Sequence, residues 1–125
     1  MKAIILAAGQ GKRLKKIHRL PKSFIKIPKI GSTLIERNIS ILRKNGVKKF
    51  LIVTGYNSHL FKKLVKKDVK ITKVDNYRKY NNYYSLLSVK KKIKGQTIIL
   101  FSDILVNENI LNRLSKSKKK YLSSY

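Results

Sequence analysis

The fold is decided by residues 6–14, which read Leu-Ala-Ala-Gly-Gln-Gly-Lys-Arg-Leu and directly follow an apolar run at the start of the chain. The apolar residues predict a buried parallel strand, since such strands are covered on both faces. Gly9 and Gly11 then let backbone N–H groups approach a ligand without an intervening Cβ. The start of the chain therefore predicts a strand that delivers a ligand-binding loop.

Positive side chains follow the two glycines, with Arg13 two residues after Gly11 and Lys22 directly after Pro21. Cations beside exposed backbone N–H groups suit a polyphosphate, whose charge they offset. Two familiar phosphate loops are excluded. A Walker A loop needs Ser or Thr at position 13, and a dinucleotide fingerprint needs a third glycine where Leu14 stands. A glycine-containing connector without a ligand is the alternative that the loop alone leaves open.

The rest of the chain alternates between predicted strands and helices. Apolar runs predict further strands at residues 50–53 and 97–101, and the alternation of apolar and polar residues predicts another at 69–74. Helical spacing of apolar residues predicts four helices: one capped by Ser32 or Thr33 with Glu36 in a capping box, one from residue 57 or 58, one from residue 81 or 82 to 95, and one at 108–114. This alternation predicts an α/β fold with a parallel sheet, in which ligands bind at the carboxyl ends of the strands.

The charge of the chain is +26, from 31 basic and 5 acidic residues. A nucleic-acid binder is the first interpretation of such a balance. The basic residues are mostly lysines spread along the chain, whereas specific base contacts favour arginine. Nucleic-acid binding as the main role is therefore disfavoured. The positive field should attract anionic substrates and weaken with salt.

The composition excludes further classes of protein. The sequence contains no cysteine, which excludes disulfides and thiolate metal sites. No apolar run approaches the roughly 20 residues that cross a bilayer, and residues 3–8 are too short for a signal peptide. We expect a cytoplasmic protein with no membrane partner. Residues 1–125 are expected to form a single domain in which residues 115–125 are a loose Lys/Ser-rich tail.

Three motifs occur in a characteristic order. Gly-x-Gly-x-Arg-Leu with Pro21-Lys22 comes first, then Asp-Asn-Tyr-Arg-Lys-Tyr-Asn-Asn-Tyr-Tyr-Ser-Leu at residues 75–86, then Ile-Ile-Leu-Phe-Ser-Asp at 98–103. Together they resemble the nucleotidyltransferase superfamily that activates sugar phosphates and phosphocholine with a nucleoside triphosphate. The middle motif resembles that of its phosphocholine cytidylyltransferase branch. The resemblance covers almost the whole chain, but only the N-terminal part of a family domain about twice as long.

The resemblance implies a Rossmann-like, mostly parallel sheet of the nucleotide-diphospho-sugar transferase type, here truncated. It also implies transfer of a nucleotidyl group from a nucleoside triphosphate, CTP by preference, to a phosphorylated small molecule, phosphocholine by preference, with release of pyrophosphate. Arg13 and Lys22 are the implied catalytic cations, and Asp103 is the implied Mg²⁺ ligand. The implied nucleotide-binding residues are Leu6, Ala7, Ala8, Gly9, Gly11, Asn82 and Ser85.

Several alternatives stay open at this point. Asn82 could cap a helix, and Asp103 could cap the turn that follows the fourth strand. The function could be that of a sugar-1-phosphate nucleotidyltransferase, or of an inactive nucleotide-binding or basic nucleic-acid-binding module. The family's second metal-binding acid has no counterpart up to residue 125. The outer edge of the fourth strand is expected to be uncovered, and to pair by self-association or with a C-terminal half.

Overall fold

The computed structural model describes residues 1–8, 24, 26–28, 31–55, 58–74, 87, 89–102, 104–109, 113 and 121–122. The described strands form one sheet and are β1 (Lys2–Ala7), β2 (Lys49–Thr54), β3 (Val69–Lys73), β4 (Thr97–Phe101) and β5 (Tyr121–Leu122). Their order across the sheet is β3-β2-β1-β4-β5, and every neighbouring pair is parallel. The predicted parallel α/β sheet is confirmed, and strands β1 to β4 lie where the apolar runs predict them.

The helix α1 (Leu34–Lys44) connects β1 to β2 and begins at the predicted capping box. The Glu36 backbone N–H donates to Thr33 Oγ1 over 3.3 Å, and the Thr33 backbone N–H donates to Glu36 Oε1 over 3.2 Å. These bonds satisfy donors that the first turn leaves without a helical partner. The helix ends at Asn45, followed by Gly46 at a φ of 94°, which an L-residue with a Cβ rarely adopts.

The second predicted helix is a 3₁₀ helix over Ser58–Leu64 and not an α-helix. Phe61 is fully buried and Leu64 is half-buried, whereas Val65 is 51% exposed. From the helical spacing, the sequence predicts that Leu60, Phe61, Leu64 and Val65 share one buried face. That prediction is wrong for Val65, because a 3₁₀ helix has three residues per turn, so residues 61 and 64 align and residue 65 does not.

The other two predicted helices are described only in part. The chain re-enters the described region at Leu87 and forms a short 3₁₀ helix over Lys90–Lys92. Gly95 has a φ of 68° and separates this helix from β4, as the pattern predicts. Residues 108, 109 and 113 are helical, within the range predicted for the last helix. The predicted caps at positions 81 and 82 lie outside the described residues.

Both faces of β1 are buried, as its apolar sequence predicts. Ala3, Ile5 and Ala7 face a cluster that includes side chains of α1 and Phe61. Ile4 and Leu6 face a second cluster on the opposite side of the sheet. Each fully buried side chain of this size contributes about 1.5–3 kcal/mol to folding. The central strand is thus held rigidly by packing on both sides, and it fixes the start of the loop that follows.

The outer edge of β4 is paired over part of its length, which differs from the expectation of an uncovered edge. Ile98 and Ile99 pair with Tyr121 and Leu122 of β5. An exposed strand edge offers unpaired N–H and C=O groups to any chain within reach, and here residues of the predicted loose tail meet that demand. The remaining residues of the 115–125 segment lie outside the described residues.

Candidate functional site

The strand order creates a crevice along the carboxyl edge of the sheet, which is formed by the carboxyl ends of its strands; the amino ends form the opposite, amino edge. From β1 the chain moves to β2 and then β3 on one side, and it returns to place β4 on the other side of β1. The carboxyl ends of β1 and β4 therefore flank a topological switch point, where open α/β sheets bind ligands. The residues at these ends are Ala7 and Phe101.

Among the predicted site residues, those at the end of β1 are described. Leu6 pairs with Val53 on one side and Phe101 on the other. Leu6, Ala7 and Ala8 are at most 4% exposed. Their side chains are apolar and enclosed, so any contribution to ligand binding comes from the backbone. The other predicted site residues lie outside the described part of the chain: Gly9, Gly11, Arg13, Lys22, Asn82, Ser85 and Asp103.

The segment with the predicted glycine loop and cations is anchored in the core at both ends. It leaves the described region at Ala8, which is 3% exposed, and returns at Phe24, which is also 3% exposed. The Phe24 ring meets the Phe61 ring edge to face, with 4.7 Å between centroids, and Lys63 Nζ lies 4.9 Å from the Phe24 centroid. Such aromatic pairs contribute about 0.5–1.5 kcal/mol beyond burial. Lys22 is two residues from this anchor in sequence.

The end of β4 is held directly against the end of β1. The backbone N–H of Ser102 donates to the Leu6 carbonyl over 3.0 Å. The N–H of Ile104 then donates to the Phe101 carbonyl over 3.2 Å, so the chain turns immediately after β4. Asp103 is the residue between Ser102 and Ile104 in the sequence. The fold thus brings the neighbours of the predicted metal ligand beside the strand that delivers the glycine loop.

A buried side chain of α1 also contacts the segment after β4. Asn38 is 1% exposed; its Nδ2 donates to the Ile104 carbonyl over 2.6 Å. Its Oδ1 accepts from the Val106 backbone N–H over 3.2 Å and from Arg37 Nη1 over 3.3 Å. Sequence pattern alone gives Asn38 no functional role. The available signal is that it lies on the apolar face of α1, where a polar side chain requires buried partners.

The segment with Asn82 and Ser85 leaves the same edge of the sheet. The Val74 N–H donates to the Thr54 carbonyl over 2.7 Å, and residues 75–86 follow. Val74, the last described residue before this segment, belongs to the buried cluster that contains Leu6 and Val53, and so does Val89, three positions after the segment. The segment therefore begins beside the carboxyl-terminal halves of β1 and β2.

Two of the described acidic side chains serve structural roles. Glu36 caps α1, and its hydrogen bonds with Thr33 hold the pKa of its carboxyl below the usual value. Asp68 accepts two hydrogen bonds from the Arg43 guanidinium, at 2.8 and 3.2 Å, which likewise lower the pKa of Asp68. Within the described residues no three His, Cys, Asp or Glu side chains cluster as metal ligands.

The two acids outside the described residues, Asp75 and Asp103, each come two positions after a strand. Both strands end at the same edge of the sheet, but β3 and β4 are three strand positions apart. At about 4.8 Å per position, this separation is roughly 14 Å. One metal ion does not bridge two strand ends at that distance. Of the two strands, only β4 ends at the switch point, so its end is the better place for a carboxylate ligand there.

The fold and this crevice define a parallel α/β domain of the nucleotide-binding class. Residues 3–121 match the family described as the MobA-like NTP transferase domain, and the chain belongs to that family of nucleotidyltransferases. The family predicted from the three motifs is therefore confirmed. Among the helices of the described residues, none has the length and apolar character to pass through a membrane.

Two curated relatives of the chain are choline-phosphate cytidylyltransferases. The chain is 35% identical over 127 residues to the choline-phosphate cytidylyltransferase of Streptococcus pneumoniae, and this match spans 100% of the chain and 54% of the relative. It is 37% identical over 121 residues to the choline-phosphate cytidylyltransferase of Haemophilus influenzae, spanning 94% of the chain and 51% of the relative.

A solved structure shows the same fold. The CTP:phosphocholine cytidylyltransferase from Streptococcus pneumoniae superposes with a TM-score of 0.74 at 33% identity. The superposition covers 87% of this chain and 49% of that one. The chain thus spans about half the length of the curated relatives it matches.

Proposed function

We propose that this domain transfers a cytidylyl group from CTP to phosphocholine, with release of pyrophosphate. The observation that carries the proposal is the hydrogen bond of 3.0 Å between the Ser102 N–H and the Leu6 carbonyl. It joins the strand before the glycine loop to the residue before Asp103, at the switch point of the sheet. The two cytidylyltransferase relatives support the choice of CTP and phosphocholine.

The proposed reaction needs no covalent intermediate on the protein. A phosphate oxygen of the acceptor attacks the α-phosphorus, the bond from that phosphorus to the bridging oxygen breaks, and pyrophosphate leaves with the electron pair. The barrier arises largely from aligning two anions that repel each other and from the charge on the phosphate oxygens. Positioning and electrostatic stabilisation by the chain are therefore the main requirements.

Each proposed site residue has a part in that task. Backbone N–H groups at Gly9 and Gly11 would bind phosphate oxygens, where a Cβ would obstruct the approach. Arg13 would bind the triphosphate, and Lys22 would neutralise the α-phosphate and the acceptor phosphate. Ala7, at the end of β1, supports this loop from a rigid, buried position. Asn82 and Ser85 are proposed to contact the nucleotide, with Leu6 and Ala8 completing the backbone of the pocket.

Asp103 is the residue proposed to hold Mg²⁺. Family members typically depend on a divalent metal, and Mg²⁺ binds through one or two carboxylates together with phosphate oxygens. The described residues fit this role because the chain turns directly after β4, and both sequence neighbours of Asp103 are hydrogen-bonded to rigid elements. When bound, the metal would offset negative charge on the phosphates.

The proposal is tested by measuring pyrophosphate release from the purified 125-residue chain supplied with CTP, phosphocholine and Mg²⁺. We expect release that requires all three and is lost in Asp103→Ala. CTP binding, measured by calorimetry on the same samples, separates a binding domain from a catalyst. Binding without release would support an inactive nucleotide-binding module. Release only with UTP and a sugar 1-phosphate would overturn the proposed acceptor and nucleotide while keeping the reaction class.

A further inference from the structure

Asn38 is a polar side chain enclosed within the apolar packing of α1. Its neighbours on the buried face of the helix are Ile35, Ile39 and Leu42. A buried amide without partners destabilises a fold, so the position requires specific hydrogen bonds. Asn38 makes them with the backbone of one segment, at Ile104 and Val106.

The two bonds fix the direction of that segment as well as its distance from α1. Asn38 donates to a carbonyl at position 104 and accepts from an N–H at position 106, which is how one strand recognises the edge of another. Ile104 and Val106 are 8% and 5% exposed, whereas Leu105 between them is 62% exposed. The segment therefore has one buried side, and the amide of Asn38 lies on it.

The residue before Asp103 is restrained from the other side. The Ser102 N–H donates to the Leu6 carbonyl over 3.0 Å, which continues the pairing of β4 with β1. The residues on either side of Asp103 are thus held by hydrogen bonds: Ser102 is bonded to β1, and Ile104 is bonded to Asn38. If Asn38 only satisfied its own buried amide, its partner would not need to be Ile104, the residue that follows the proposed metal ligand Asp103.

We propose that Asn38 is a positioning residue for the Asp103 carboxylate, and this inference rests on the proposed function. By holding the Ile104 carbonyl and the Val106 N–H, Asn38 sets where the chain turns after β4 and hence where the carboxylate is presented. Groups that orient metal ligands without touching the metal typically change metal affinity by about 10–100-fold when they are removed. Arg37 Nη1 donates to Oδ1, which gives the Asn38 side chain a third hydrogen bond and holds the amide in the orientation that both backbone partners need.

The test measures Mn²⁺ affinity in the presence of CTP by electron paramagnetic resonance, and CTP affinity in EDTA by calorimetry. We expect Asn38→Ala to weaken Mn²⁺ binding about tenfold while metal-free CTP binding stays unchanged. Asn38→Asp keeps the acceptor for Val106 but loses the donor to Ile104, so it should weaken Mn²⁺ binding as well. It also provides a second variant if the alanine variant does not fold.

Ile39→Val is the matched control, because Ile39 is the next residue of α1 and is buried in the same cluster without contacting the segment after β4 through hydrogen bonds. It should lower the melting temperature and leave Mn²⁺ affinity unchanged. Asp103→Asn defines the affinity without the proposed ligand. If the wild-type chain binds Mn²⁺ no better than Asp103→Asn, the proposed metal site fails, and this inference fails with it. If wild type exceeds Asp103→Asn but Asn38→Ala equals wild type, the positioning role is overturned and the proposed function stands.

Discussion

The amino and carboxyl ends of the central strands carry different kinds of residue. At the carboxyl edge the described ends of β1 and β2 are buried and uncharged, as at Ala7, Ala8, Thr54 and Gly55, whereas Lys73 at the end of the outer strand β3 is exposed. At the amino edge an open pocket of about 290 Å³ is lined largely by lysines. These are Lys2, Lys49, Lys67, Lys70 and Lys92.

The difference teaches that the density of charge does not locate the candidate site. A chain with 31 basic residues exposes lysines at many of its described positions, and the amino edge is basic without any switch point in the topology. The carboxyl edge owes its interest to the connectivity of the strands and to the rigidity of β1. The cations proposed to act there, Arg13 and Lys22, belong to the segment predicted from sequence as a loop after β1.

The largest expected effect sets one edge directly against the other. Asp103→Ala should reduce pyrophosphate release at least about a hundredfold, since the metal ion that Asp103 is proposed to hold would no longer offset the charge on the reacting phosphates. Lys70 is exposed at the amino edge, across the sheet from the proposed site, where salt screens its charge from the reacting groups. Lys70→Ala should therefore leave the rate nearly unchanged. Initial rates at fixed CTP and phosphocholine measure both. A loss in Lys70→Ala as large as that in Asp103→Ala would contradict the assignment of the site to the carboxyl edge.

A second pair of substitutions compares the packing of the two edges. Ala7→Leu places a large side chain at a position that is 4% exposed, so overpacking should lower the free energy of unfolding by about 1–3 kcal/mol. Lys49→Leu, at the exposed start of β2, should change it by less than about 0.5 kcal/mol. Urea unfolding followed by circular dichroism measures the two values. A tolerant Ala7 would contradict the rigid anchoring of the glycine loop.

Buried hydroxyl groups should behave alike at both edges. Thr54 Oγ1 donates to the Thr72 carbonyl at the carboxyl edge, and Thr97 Oγ1 donates to the Lys94 carbonyl at the amino edge, both over 3.3 Å. Replacing either by valine should lower the free energy of unfolding by about 1 kcal/mol. Thermal unfolding of the two variants under one buffer gives the comparison. A much larger effect at Thr54 would point to a role in the site beyond folding.

The smallest effect is expected from the ion pair of the amino edge. The Arg43 guanidinium holds the pKa of Asp68 below its usual value, so the pair stabilises the fold above the unfolded-state pKa. That contribution is lost as pH falls through the pKa of the folded state. Denaturant midpoints measured from neutral pH into the acid range should therefore fall slightly more for wild type than for Asp68→Asn. Parallel curves would mean that the exposed pair contributes nothing measurable.

The elements that sequence predicts well are those whose signal is local. Strand β1 is one continuous apolar run, and α1 has its capping box at Thr33 and its Asn45-Gly46 ending within a few residues of the helix itself. The sequence predicts an ordinary helix at Ser58–Leu64 and not the observed 3₁₀ helix, because apolar residues spaced by three and by four positions are compatible with both types of helix.

What sequence could not predict depends on distant partners. Strand β5 is two residues long and exists because β4 offers an edge. The hydrogen bonds of Asn38 join it to residues 66 and 68 positions further along the chain. For the site, the fold confirms where the end of β1 lies. The roles of Gly9, Gly11, Arg13, Lys22, Asn82, Ser85 and Asp103 stay predictions.

The central position of β1 also bears on how the protein is made. Leu6 is synthesised long before Phe101, which is one of its two strand neighbours. Contacts between residues so far apart in sequence form slowly, because a long loop must close before they can stabilise anything. During synthesis β1 can pair with β2 early, but its other edge stays open until β4 has left the ribosome. The crevice proposed to bind the nucleotide therefore takes shape later than the pairing of β1 with β2.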